Sequence, residues 1–115
     1  MFKNKIFLVI IIILLFSFTL NAQDIVYQIP IKGNIDQAMF SFFERSFNEA
    51  VENNAELIII NIDTYGGFVD PAIRIKDLIL ESKVETITYV SNRAWSAGAL
   101  IALAGDRMVM KEGTS

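Results

Sequence analysis

The stretch ELIIINID, Glu56–Asp63, decides how this chain folds. Leu57–Ile60 is unbroken apolar sequence, and Ile62 resumes it after Asn61. The run is too short for a typical helix and too uniformly apolar for a strand with one wet face. It reads as a strand buried on both faces, as in a parallel sheet. Parallel strands need a crossover between them, usually a helix. The flanks supply helices. Upstream, Met39, Phe43, Phe47 and Ala50 recur at spacings of 4, 4 and 3, so Asp36–Asn53 is predicted to be an amphipathic helix. Asn34 or Asp36 is its candidate cap, and Phe42 falls off the apolar face. Downstream, Thr64–Val69 (TYGGFV) is a loop. Asp70 as N-cap and Pro71 at the first helical position open a second helix, with Ala72, Ile75 and Ile79 inward and Leu78 beside them.

The pattern repeats to either side. Ile25–Gly33, IVYQIPIKG, alternates and ends at glycine, as a strand does. Glu85–Ser91, ETITYVS, is the next strand, Ser96–Ala104 a short helix of small and apolar residues, and Arg107–Lys111 a fourth strand before the turn EGTS. The order β-α-β-α-β-α-β with short connections predicts an α/β fold with a mostly parallel sheet. Four short strands leave exposed edges. A domain completed by further chain or another subunit is therefore expected.

The first 22 residues stand apart. Lys3 and Lys5 precede the apolar run Ile6–Leu20, and the segment ends LNAQ. This reads as a secretory signal peptide cut after Ala22, with an uncleaved anchor as the alternative. Leu20 is a less typical residue than alanine at its position before the cut. A spanning helix normally needs about 20 apolar residues, and this run is shorter. Residues 23–115 then form one domain carrying eight Lys and Arg against thirteen Asp and Glu. That acidic balance argues against nucleic acid, which calls for a basic footprint. The chain has no Cys and no His. A thiolate nucleophile, a disulfide, a Ser-His-Asp triad and a His- or Cys-based zinc site are all excluded. No cofactor or metal is called for.

Two features are expected at carboxyl ends of strands, where open α/β sheets place their sites. One is Gly66-Gly67, which follows the Ile-rich strand and lets the backbone open toward a ligand. The other is Ser96, which follows the next strand and opens a helix. Ser96 is either an N-cap or a nucleophile. Taken as a nucleophile, a tetrahedral oxyanion formed by its attack rests between the N–H groups of Gly67 and Ala97. Asp63 and Asp106 sit at element ends, where turn or capping roles suit them. Tyr65 and Trp95 flank the two motifs as walls of a cleft or as packing residues.

The stretch IIINIDTYGGFVDPAIRIKDLILESKVETITYVSNRAWSAGALIALAGDRMVM closely resembles the Clp-protease-like domain of membrane-bound serine proteases of the NfeD family, relatives of ClpP and of signal peptide peptidase SppA. The family pattern runs from D-T-P-G-G through a helix and a strand to A-x-S-A-G and A-x-A-A-D. The resemblance implies Ser96 as nucleophile, Gly67 and Ala97 as oxyanion donors, and Gly66 as a support of that loop. It implies a ClpP/crotonase-type spiral fold, a homo-oligomer, and hydrolysis of protein or peptide substrates at a membrane, stomatin-like membrane proteins and their hydrophobic segments among them. It also implies a Ser-Lys dyad whose lysine lies beyond residue 115. Lys76, Lys83 and Lys111 occupy no apolar run that would desolvate them, and read as surface residues. Tyr65 stands where the family pattern has proline, so the φ restraint that proline provides is missing.

Two other readings use the same residues. A catalytically silent scaffold of this fold, assembled with membrane partners, requires no base. An acyl-CoA enzyme of the crotonase type conflicts with the signal peptide, and no adenine or pantetheine contact is legible.

Overall fold

The computed structural model describes residues 2–17 and 23–115. Eight elements follow in order: α1 (Phe2–Ser17), β1 (Val26–Lys32), α2 (Gln37–Glu52), β2 (Leu57–Thr64), α3 (Val69–Leu80), β3 (Glu85–Ala94), α4 (Ala97–Ala102) and β4 (Arg107–Met110). The cleavage point predicted at Ala22 lies outside the described residues. Helix α1 is exposed along its whole length. Among the described residues no helix is long and apolar enough to cross a membrane.

The four strands form one parallel sheet in the order β1-β2-β3-β4. The predicted α/β architecture is therefore the observed one. Each strand lies beside its predecessor, and crossovers of one hand put every connecting helix on the same face. Burial follows this geometry. Ile29 pairs with Ile60, and Ile60 with Thr88; Ile31 pairs with Ile62, and Ile62 with Val90. These residues are buried, and they share one core with Phe43 and Phe47 of α2, Ala72 and Ile75 of α3, and Ile101 of α4. The alternate positions are not covered. Val26, Gln28 and Pro30 are exposed, and Leu57, Ile59, Ile87 and Tyr89 are half-buried. The Ile-rich run is thus packed on one face only, and not on both as its composition predicts.

Local chemistry explains the boundaries. Asp36 caps α2 by accepting the Met39 N–H at 2.8 Å. Phe40 is buried in the core and Met39 only partly, a shift of one position from the predicted face. The Arg74 guanidinium covers the outer side of the Phe40 ring, 3.9 Å from its centroid. Asp70 does not cap α3. Phe68 holds the cap position with no side-chain bond, Asp70 lies in the first turn, and Pro71 is the third helical residue. Both are compatible with a helix start, since carboxylates favour the N-terminal dipole and proline lacks only an N–H that has no helical partner there. Strand β3 runs three residues beyond the predicted Ser91, because a register shift between Ile62 and Thr64 lets Ala94 pair with Thr64. Asp106 has a turn role, accepting the Thr86 N–H at 2.8 Å.

Candidate active site

The extra length of β3 brings two loops together. Thr64 ends β2, Ala94 ends β3, and the Trp95 N–H donates to the Thr64 carbonyl at 3.1 Å. The chain after each strand therefore leaves the sheet side by side with the other.

The loop after β2 is held from below. The Gly66 N–H donates to Thr64 Oγ1 at 2.9 Å. The Ile35 N–H donates to the Gly66 carbonyl at 3.0 Å, and the Phe68 N–H to the Ile35 carbonyl at 2.8 Å. This is a one-residue parallel bridge between Ile35 and Gly67. In such a bridge the bonds run to the neighbours of Gly67, so its own N–H points away from Ile35. Among the described residues that N–H has no acceptor. Both glycines are required. At Gly67 (φ +155°) a Cβ would lie 2.2 Å from the Ile35 carbonyl oxygen. At Gly66 (φ +112°) it would lie 2.9 Å from Ser96 Cβ and 3.0 Å from the Trp95 carbonyl oxygen. Gly66 therefore packs directly against the serine.

Ser96 is exposed and has φ +53° and ψ −122°, a left-handed φ on a residue with a Cβ. Such a conformation costs on the order of 1–3 kcal/mol and is concentrated at functional sites. Ser96 occupies the N-cap position of α4, yet its side chain makes no capping bond. The Gly98 N–H turns to the Trp95 carbonyl at 2.9 Å and the Ala99 N–H to the Ser96 carbonyl at 3.0 Å, while the Ala97 N–H has no acceptor among the described residues. The Ser96 hydroxyl and two backbone donors, those of exposed Gly67 and buried Ala97, thus have no intramolecular partner among the described residues.

Aromatic side chains frame the serine. Tyr65 and Trp95 meet edge to face at 5.4 Å, and the Arg93 guanidinium lies over the Tyr65 ring at 4.3 Å. Arg93 also sits 3.8 Å from Asp63, and the indole N–H of Trp95 donates to Ser115 Oγ at 2.9 Å. Tyr65 and Phe68 are each 66% exposed and Trp95 48%, a large apolar area beside one hydroxyl. An apolar groove of about 190 Å³ lies beyond α4, lined by Val90, Ala94, Ala99, Leu103, Met108 and Met110. Of the lysines, Lys83 and Lys111 are exposed as predicted, whereas Lys76 is half-buried and paired with Asp77 at 2.8 Å. No hydrogen bond joins any lysine to Ser96 among the described residues. Sequence reasoning missed Thr64 and Arg93. The signal for Thr64 was there, since a threonine directly before glycines is the residue type that bonds to backbone two positions on.

The NfeD1b, N-terminal domain family model matches residues 25–115. The chain is 46% identical over 88 residues to "Membrane protein NfeD1b" of Bacillus subtilis, covering 76% of this chain and 20% of that protein. It is 38% identical over 115 residues to "Membrane-bound protease PH1510" of Pyrococcus horikoshii, covering 97% of this chain and 26% of that protein. The chain therefore spans about a fifth to a quarter of the length of these curated relatives. Among solved structures, a serine-to-alanine mutant of the 1510-N membrane-bound stomatin-specific protease superposes with TM-score 0.77 at 39% identity, over 82% of this chain and 47% of that one. A lysine-to-alanine mutant of that protease, in complex with a substrate peptide, gives 0.76 at 40% identity over 82% and 44%. ClpP1 from Listeria monocytogenes gives 0.64 at 26% identity over 68% and 46%, so the sheet and its helices have the ClpP-like arrangement. With its match from Ile25 to Ser115 and these relatives, the chain belongs to the NfeD1b N-terminal domain family.

Proposed function

We propose that this chain carries the nucleophile and oxyanion donors of a membrane-associated serine endopeptidase. Ser96 Oγ attacks a peptide carbonyl carbon, the C=O pair moves onto oxygen, and the N–H groups of Gly67 and Ala97 stabilise that charge. Gly66 supports the loop by closing it onto Ser96. The hydroxyl proton goes to a lysine base located outside these residues, in a Ser-Lys dyad. The observation that carries the reading is the backbone of Ser96. A cap-positioned serine that caps nothing, is held at φ +53° and packs on Gly66 has surrendered stability with no structural return. The relative solved as a serine mutant and as a lysine mutant, the latter holding a substrate peptide, supports the same pair of residue types.

The exposed Tyr65, Phe68 and Trp95 and the apolar groove beyond Ala99 fit substrates of hydrophobic sequence. A stomatin-like membrane protein is the corresponding substrate, because the solved relative is described as stomatin-specific. Assembly into a homo-oligomer and export through the segment carrying Lys3, Lys5 and α1 complete the reading. A silent scaffold is the second reading: the Bacillus relative of higher identity is named as a membrane protein, "Membrane protein NfeD1b". Hydrolysis of a hydrophobic peptide by the full-length protein separates the two. Ser96→Ala is expected to abolish turnover while leaving the folded state intact. Equal turnover by the folded variant, or none by the wild type, supports the scaffold.

A further inference from the structure

We propose that Thr64 is the positioning residue of this site, locking the Gly66–Gly67 loop to the turn that carries Ser96 through its hydroxyl, its carbonyl and its methyl group. Its kinetic consequence rests on the peptidase reading above; its structural consequence does not.

Thr64 is 1% exposed, at the end of β2. Its three functional groups meet three different segments. The hydroxyl donates to the Gly33 carbonyl at 2.5 Å, and its oxygen accepts the Gly66 N–H at 2.9 Å. The carbonyl accepts the Trp95 N–H at 3.1 Å, one residue before the serine. The methyl carbon, Cγ2, faces α4: a Cβ on Gly98 would lie 2.4 Å from it, and the next nearest atoms lie at 3.9 Å. One side chain thus joins the end of β1, the glycine loop and the helix behind Ser96.

The hydroxyl also selects a donor. Gly66 and Gly67 present two adjacent N–H groups, and either could face a ligand. Thr64 Oγ1 occupies the first, so the second remains free. Without that acceptor the Gly66 amide is unpaired, and the Ile35 bridge alone restrains the peptide between the two glycines. The Gly67 N–H then loses one of the two restraints on its aim. The methyl has a separate task. It fills the space where residue 98 would carry a side chain, and it alone requires glycine there. This brings the first turn of α4, and with it the Ala97 N–H, close to β2.

Valine keeps the methyl and loses the hydroxyl; serine does the opposite. In the full-length protein, Thr64→Val is expected to lower kcat for a hydrophobic peptide about 10²-fold, the scale set by misplacement of a reacting group, with little change in KM. Thr64→Ser is expected to recover most of that loss. By hydrogen-exchange mass spectrometry, the segment 64–68 exchanges faster in the valine variant and not in the serine variant. Gly98→Ala alone is expected to lower the thermal midpoint, and Thr64→Ser in the same chain to restore it. Wild-type kcat and exchange in a folded Thr64→Val protein overturn the hydroxyl's role. Equal damage from Gly98→Ala in the threonine and serine backgrounds overturns the methyl's role. If Thr64→Val does not fold, the serine variant and the Gly98 pair decide. Ser96→Ala, measured alongside, tests the peptidase reading separately, and the exchange and Gly98 results hold whatever it shows.

Discussion

Helices α2 and α4 begin in opposite ways. Asp36 opens α2 with φ −136° and ψ −175°, extended backbone open to any residue, and its carboxylate accepts the Met39 N–H at 2.8 Å. Ser96 opens α4 with φ +53° and ψ −122°, and its hydroxyl accepts nothing from the helix. Serine and aspartate are both good N-caps by chemistry. At α2 that chemistry is used for the fold. At α4 the backbone turns the hydroxyl out of capping range and leaves the Ala97 N–H without an acceptor among the described residues. The side chain that opens α2 is spent on that helix's own amides, and the side chain that opens α4 is left free of them.

The comparison is broken most severely by removing both side chains in turn. Ser96→Ala is expected to lower peptide turnover by about 10⁴–10⁶-fold, with stability changed by less than about 0.5 kcal/mol, because no capping bond is lost. Asp36→Ala is expected to leave turnover per folded molecule intact. Peptide hydrolysis and urea unfolding on both variants check this. Next in size is the glycine loop. Gly67→Ala is expected to cost about 3 kcal/mol through backbone strain and contact with Ile35. Gly33→Ala, at φ +92° with no atom within 4 Å of the new Cβ, is expected to cost only about 1 kcal/mol. Urea midpoints rank the two. Asp36→Ala is then expected to cost about 1 kcal/mol, and Asp36→Ser much less. The smallest effect has the opposite sign. Ser96→Gly releases strain of roughly 1–3 kcal/mol against about 0.5–1 kcal/mol of glycine entropy. A slightly higher thermal midpoint in an inactive protein is the expected outcome, and a lower one removes strain from the account.

The sequence made much of this legible, for identifiable reasons. Each strand is short and bounded by turn residues, and the Phe43, Phe47 and Ala50 spacing leaves α2 one choice of face. Asp36 was a readable cap because its bond is local. The start of α3 was misread, since Asp-Pro signals a helix start without fixing which residue is first; Phe68, tied to Ile35 across the sheet edge, sets it instead. The unused hydroxyl of Ser96 was hidden as well. Its backbone is imposed by Gly66 packing on its Cβ and by Trp95 bonding to Thr64, contacts across 30 residues that no local pattern encodes. The one-sided sheet escaped because an apolar run reports preference for burial and not which face receives it.

The strand order has a further consequence, for assembly in time. Every strand pairs with the strand before it, so each βα unit has its docking surface ready when it leaves the ribosome. No strand must wait for a distant partner, and loop-closure entropy stays modest at each step. The turn at Ser96 is the exception. It acquires its shape only when β3 has zipped along β2 as far as Thr64 and Ala94, the last pair in the register. The backbone of Ser96 is therefore set only once the pairing of β2 with β3 beneath it has formed.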